Sequence, residues 1–344
     1  MWCRHTGPRT PVRTGPTRAV RLSVVTAALV VVLTACGGHG QAGALPSGTA
    51  TPPPGTDVGA LHLPIETYLL APRLSVVHDR LRNVLIHACM RGFGLPYPAP
   101  PAATRATDRA AMDAYTVMYR RYGVTDARSV RTWGYHAPRL EVRATRASAP
   151  VRLGDLPAAA RRVLLGTDPA SGVSVAGRTA QNGRPIPPGG CVGAADRRLA
   201  PSGSDSATRG PQGPQGPQSG PGGLVAAIKS DSFAASAADP RVTGVFSNWS
   251  SCMQAAGYRV SDPVHATGAL ASVTAAKPDT GEIAQAQADV ACKTRTNVVG
   301  VWFAVESDYQ NAAIHKNAKA LAVVKAELTR QTDVINSLAE RNGA

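Results

Sequence analysis

Residues 282–341, EIAQAQADVACKTRTNVVGVWFAVESDYQNAAIHKNAKALAVVKAELTRQTDVINSLAER, run for sixty positions without a proline and with a single glycine, Gly300. Such a stretch predicts helix, because the two residues that most disfavour helix interiors are almost missing. Asp279 and Glu282, three apart, have the spacing of a capping box and mark its start. Val298, Trp302, Val305 and Tyr309 form one apolar stripe, and Ile314, Leu321, Leu328 and Ile335 follow at intervals of seven. The second set lies on a rotated face, which predicts two helices or one bent helix rather than a uniform coiled coil. The fold class that follows is mainly α.

The preceding helices obey the same logic. Leu224 to Ala238 reads as a helix, and Asp239-Pro240 supplies a cap and a first-turn proline for the next, which carries Val242, Val245, Phe246, Trp249, Cys252, Met253 and Ala256 before Gly257. In the first half, Ser75 to Arg91 repeats apolar residues at Val77, Leu81, Val84, Leu85 and Ala88 and stops at Gly92 and Gly94. Residues 108–122 predict a second helix; Thr125 or Asp126 caps a third that ends at Gly134. Asp155, Pro157 and Gly166 frame a fourth, and the 183–190 loop delivers Cys191 to a fifth ending near Leu199.

Two short segments repeat: Cys89-Met90-Arg91-Gly92-Phe93-Gly94 and Cys252-Met253-Gln254-Ala255-Ala256-Gly257. Each places a cysteine in the last turns of an amphipathic helix, a flexible thioether in its core face, and a glycine able to turn the chain at its end. Each half holds one further cysteine, Cys191 or Cys292. Four cysteines allow three connectivities; pairing within each half joins Cys89 to Cys191 and Cys252 to Cys292. The expectation is therefore two disulfide-stapled helical lobes with long irregular loops and a long C-terminal helical element.

The N-terminus sets the compartment. Five arginines and no acidic residue precede an apolar run, Leu22 to Leu33, that closes on Leu33-Thr34-Ala35-Cys36. Twelve residues make about 18 Å of helix against a hydrocarbon core of roughly 30 Å, so the run reads as an export signal rather than a span. Leu-Thr-Ala-Cys resembles a bacterial lipobox, which implies that Cys36 carries a diacylglyceryl group and becomes the mature N-terminus on the outer face of the cytoplasmic membrane. The domain plan is a signal peptide over 1–35, a disordered tether over 36–60, a basic helical lobe over 61–200, a linker over 201–223 and a C-terminal helical lobe over 224–344. Three Gly-Pro-Gln triplets from Gly210 are too few for a collagen triple helix and predict a semi-rigid spacer.

Arginine outnumbers lysine 31 to 6, and the formal charge of +15 falls to +10 without the leader. The excess is uneven: residues 71–162 hold 16 arginines against six acids, whereas 224–344 balance 11 against 11. A basic lobe near the anchor suits an anionic leaflet or wall polymer; an exported chain without the signatures of a nucleic-acid reader does not suit nucleic acid.

Sites for chemistry are sparse. His78 and His87 fall on opposite faces of their helix, and no convergent set of His, Cys and carboxylates predicts a metal or other cofactor. There is no nucleophile elbow, phosphate loop or dinucleotide fingerprint. Glu141 with Asp155, or Glu306 with Asp308, can be named as the acid/base pair of a wall-polymer hydrolase, but nothing in the sequence sets them apart from other carboxylates. Trp133, Tyr135 and His136 cluster at a turn and form a candidate binding site, with Tyr97 among prolines a second exposed aromatic.

Taken with the lipobox, the segments Tyr122-Gly123-Val124-Thr125-Asp126, Gly134-Tyr135-His136, Pro188-Gly189-Gly190-Cys191, Trp249-Ser250-Ser251-Cys252-Met253 and Ala288-Asp289-Val290-Ala291-Cys292 resemble a group of uncharacterised actinobacterial secreted lipoproteins. The resemblance implies location, helical content and disulfides, and brings no activity with it. The expectation is a non-catalytic binding or accessory protein of the cell envelope, held to the membrane by its lipid and engaging a wall polymer or an envelope protein. The alternatives are the hydrolase above and a structural subunit of a membrane complex.

Overall fold

The computed structural model describes residues 48–98, 112–113, 115–138, 153–180, 182–200, 221–268 and 270–342. The signal peptide, Cys36, the 139–152 basic stretch with Glu141, and the linker up to residue 220 lie outside them. The described residues form nine α-helices: α1 Pro72–Gly92, α2 Ala127–Trp133, α3 Ala158–Leu165, α4 Gly190–Leu199, α5 Pro221–Ala237, α6 Pro240–Ala255, α7 Thr280–Thr296, α8 Val298–Lys316 and α9 Ala318–Asn342. Extended pairing among them is limited to two isolated bridges, Thr167 with Ser174 and Thr179 with Pro185. The fold is all-α, and both disulfides join the expected partners: Cys89 to Cys191 and Cys252 to Cys292, each with Cα atoms 5.7 Å apart.

The C-terminal stretch is three helices, where two helices or one bent helix were expected. Asn297, at φ 55° and ψ 37°, ends α7 and starts α8; Asn317 ends α8. Asparagine enters the left-handed region at little cost because its short amide bonds locally. Gly300 lies inside α8 instead of breaking it. Trp302 is the centre of the larger core, stacked on Tyr122 at 4.6 Å and Phe233 at 5.0 Å and met edge-on by Phe246. Around it pack Leu61, Leu63, Ile65, Trp249 and Met253.

A second core gathers Leu81, Leu85, Ile86 and Met90 of α1 with Leu164, Cys191 and Leu199, and with Ile335 and Leu338 of α9. The buried face of α1 is thus rotated from the stripe read in the sequence: Ala88 is exposed, and Ile86 and Met90 take its place. The boundary at 201–223 does not sort the packing. The larger core takes Leu61–Ile65, Met118 and Tyr122 from the first half, and α9 gives Leu321 and Val324 to one core and Ile335 and Leu338 to the other. The described residues belong to one compact unit, in which the lobes share elements. The expected 108–122 helix is kept only in part: residues 112, 113 and 115 are helical. From Val117 to Tyr122 the chain is in turns, with Arg120 at φ 49° and its guanidinium donating to the carbonyls of Tyr135 and His136 at 2.6 Å each. Burial of Met118 and Tyr122 together with those bonds outweighs a helical periodicity that propensity alone supports.

The tether expected to be disordered over 36–60 is ordered from Gly48 onward, the first described residue. It forms a strap across α7 and α8: Thr49 N–H donates to Asp308 at 2.7 Å, and Asn297 Nδ2 donates to the Pro52 carbonyl at 3.0 Å. Gly300 makes room for it, since a Cβ there would collide with the Pro52 carbonyl oxygen and the Asn297 amide. Gly300→Ala is therefore expected to cost about 1 to 3 kcal/mol through overpacking and to expel the strap. Limited proteolysis would show it as faster cleavage within 48–57, with the 183–190 loop unchanged.

Candidate functional site

Helix α7 carries four polar side chains on one face. Glu282, Gln285, Asp289 and Lys293 step by three, four and four residues, and all four are buried. Their partners come from the flanks of α2, from Trp249 of α6 and from the Ala266 carbonyl. Asp279 caps α7 by accepting from Glu282 N–H at 2.7 Å, so half of the expected capping box forms. The Glu282 carboxylate does not return to the cap: its Oε1 accepts from Tyr135 N–H at 2.8 Å and faces His136 Nδ1 at 2.8 Å. Its Oε2 is buried without a partner. Asp289 accepts from Trp249 Nε1 at 3.0 Å and pairs with Lys293 Nζ at 3.0 Å, and Lys293 also donates to the Val124 carbonyl at 3.1 Å.

A glycine flanks α2 on each side, Gly123 before its cap and Gly134 at its end, for the same steric reason. Gly123 (φ 77°) and Gly134 (φ 52°) lie so close to α7 that a Cβ would come within 2.7 Å of Lys293 Nζ and 2.6 Å of Glu282 Oε1. The segments Tyr122-Gly123 and Gly134-Tyr135-His136 are the clasps by which α2 lies along the polar face of α7. Asp126 caps α2 by accepting from Arg128 N–H, and Val124, Val130, Ala286 and Val290 form the small apolar contact between the helices.

Burial dominates the electrostatics. It pushes the Asp289 carboxyl up, against the opposing pull of Lys293, and pushes the Lys293 amine down. The Tyr135 hydroxyl is buried near Asp289 and Gln285 but outside hydrogen-bonding geometry; burial first and the carboxylate second hold its pKa far above the ordinary value. For His136, burial opposes the charge, yet the Ala275 carbonyl and the Glu282 carboxylate outweigh it and raise the imidazole above its ordinary value.

A shallow cleft of about 470 Å³ lies beside this face, lined by Gln285, Tyr258, Val260 and Leu270 among others. Arg259 lines it too, exposed and without a partner among the described residues. Gln285 Nε2 is fixed by donation to the Ala266 carbonyl at 2.6 Å.

Of the residues singled out in the sequence, Tyr135 and His136 come together with α7 but turn inward, the ring of one against the larger core and the small α2–α7 contact, the imidazole of the other against Glu282. Trp133 is half-buried. Tyr97 packs on the second core, and its carbonyl lies 3.0 Å from His87 Nδ1. Glu306 and Asp308 do not converge, and Glu141, the proposed mate of Asp155, lies outside the described residues. Glu306 is buried under Arg121, Tyr122 and Gln310, while Asp308 pairs with Arg241 and the strap. Asp155 sits in a 3-10 turn. Among the described residues no group of three or more His, Cys, Asp or Glu side chains could hold a metal ion. The α7 stripe itself went unread, because polar residues at helical spacing ordinarily mark a solvated face. The one signal is their company, Trp249 and the glycines that flank α2.

The arrangement fastens helices together and leaves one partly apolar cleft with a free guanidinium at its edge. The chain matches no family model, no curated protein and no solved structure.

Proposed function

We propose that this is an extracytoplasmic lipoprotein, anchored through Cys36 on the outer face of the cytoplasmic membrane, that acts by binding in the cell envelope rather than by catalysis. The observation that carries the reading is the pairing of cysteines. Cys89, Cys191, Cys252 and Cys292 are consumed in two disulfides, bonds that persist in oxidising compartments. Beyond them Cys36 stands at the end of a basic-then-apolar leader, followed by two glycines. Two acyl chains, at roughly 0.8 kcal/mol per buried methylene, would hold the protein on a bilayer almost permanently.

The surface supports an anionic partner in a narrower way than the arginine count implies. Arg82, Arg120, Arg121 and Arg162 are spent on Asp196, backbone carbonyls, Glu306 and Asp168. Arg73, Arg91, Arg128 and Arg131 are exposed without side-chain partners among the described residues. Within residues 71–162 these four offer their guanidinium groups to phosphate or carboxylate of a wall polymer. Metabolic labelling with a fatty acid is expected to mark the wild-type protein and to be lost in Cys36→Ala; an unlabelled wild type would sink the anchor. Retention of the purified protein on cell-wall material should fall as salt rises and drop further when the four arginines are replaced by glutamine, whereas release of soluble fragments from that material would replace the binder with a hydrolase.

A further inference from the structure

His136 faces an acceptor on each side. Its Nδ1 is 2.8 Å from Glu282 Oε1, and its Nε2 is 3.0 Å from the Ala275 carbonyl oxygen. A neutral imidazole has one N–H and can donate to only one of them; the imidazolium has two and donates to both. Glu282 is fully buried and Oε2 is left bare, so the negative charge facing the ring depends on His136 and on the Tyr135 N–H for its compensation. The two acceptors belong to different parts of the chain. Glu282 lies in the first turn of α7. Ala275 ends the 3-10 turn Ala271–Thr274, which continues directly from Leu270 in the cleft wall.

We propose that His136 is a proton-operated latch: as the imidazolium it ties the 270–276 segment, and with it the Leu270 wall of the cleft, to the start of α7, and on losing its proton it releases that segment. The other charged groups at the site are few. Arg120, on the chain before α2, donates to the carbonyls of Tyr135 and His136 and disfavours the charge. The positive end of the α7 dipole does the same, and Asp279, the cap of α7, carries the opposite sign. Glu282 is the nearest countercharge. The latch rests on the geometry alone and stands apart from lipid anchoring, although an exported protein would meet the ambient pH directly.

The sign of the dependence follows from linkage. A histidine held above its ordinary value contributes stability that is fully present below about pH 6.5, its ordinary titration point, and that is lost as pH rises through its folded value. Nitrogen-detected NMR of the intact protein, titrated from pH 5 to 9, should show both ring nitrogens of His136 protonated at the acid end, with a midpoint above ~6.5. Amide exchange of residues 271–276, corrected for intrinsic rates, should rise as that proton leaves. Glu282→Gln is expected to lower the midpoint by about one unit or more, and His136→Phe to leave the segment exchanging fast at every pH. A midpoint at or below ~6.5, or a segment whose exchange ignores the titration, overturns the proposal; both are read on the wild type, so a variant that fails to fold does not obscure the result.

Discussion

Asp289→Asn is expected to destabilise the protein by about 3 to 5 kcal/mol, the range for breaking a buried ion pair from one side. Asp289 has no exposed surface and Lys293 is 2% exposed. Removing the carboxylate charge leaves an ammonium inside the protein with only the Val124 carbonyl and a neutral amide for company. The cost is that of the stranded charge and overstates what the pair contributes, because burial already works against both ions, raising Asp289 and lowering Lys293. The double replacement Asp289→Leu with Lys293→Met removes both charges while keeping volume. It should be milder than Asp289→Asn because no charge is left stranded, although Trp249 Nε1 and the Val124 carbonyl each lose a partner at about 1 to 3 kcal/mol. Urea denaturation of the three proteins decides it. If Asp289→Asn stays within about 1 kcal/mol of wild type, the polar face of α7 is solvated rather than sealed.

That polar face also shows where the sequence could be read and where it could not. Caps and breakers are local, so Asp126, Asp239 and Asp279 gave the starts of α2, α6 and α7, and Gly134, Gly166 and Gly257 the ends or following turns of α2, α3 and α6. The disulfide pairing was legible because the Cys-Met motif repeats once in each half. What depends on distant chain was not legible. Asn297 and Asn317 end helices that no glycine or proline interrupts, and Glu282, placed for a capping box, is drawn away by Tyr135 and His136. The strap over Gly300 has the composition of a linker, and only a helix with a missing side chain gives it a seat. Tyr135 and His136 read as presented groups because aromatic residues at a turn are ambiguous until the partner helix is known.

The second disulfide-linked core makes the other large prediction. Removing Cys89–Cys191 by paired alanine substitution should cost up to about 4.7 kcal/mol on chain entropy for a loop near a hundred residues, against about 4 for Cys252–Cys292 with its forty. The two losses should differ more in place than in size. Cys252–Cys292 joins α6 to α7, helices also held by the Trp249–Asp289 hydrogen bond and by the larger core. Cys89–Cys191 joins α1 to α4; besides the smaller core, residues 158–199 are tied to α1 by exposed contacts, the Asn182 and Arg184 side chains donating to the Gly92 carbonyl and the Arg82–Asp196 pair. An exposed pair of that kind contributes about 0 to 1 kcal/mol. Hydrogen exchange should therefore find residues 158–199 unprotected in the Cys89→Ala/Cys191→Ala protein while α5 to α8 keep their protection, because regions with fewer buried contacts open as separate units. The Cys252→Ala/Cys292→Ala protein should keep 158–199 protected relative to its own lowered global stability. If losing Cys89–Cys191 instead weakens all helices alike, then α9, which runs through both cores, couples them into a single cooperative unit and the smaller core has no independent opening.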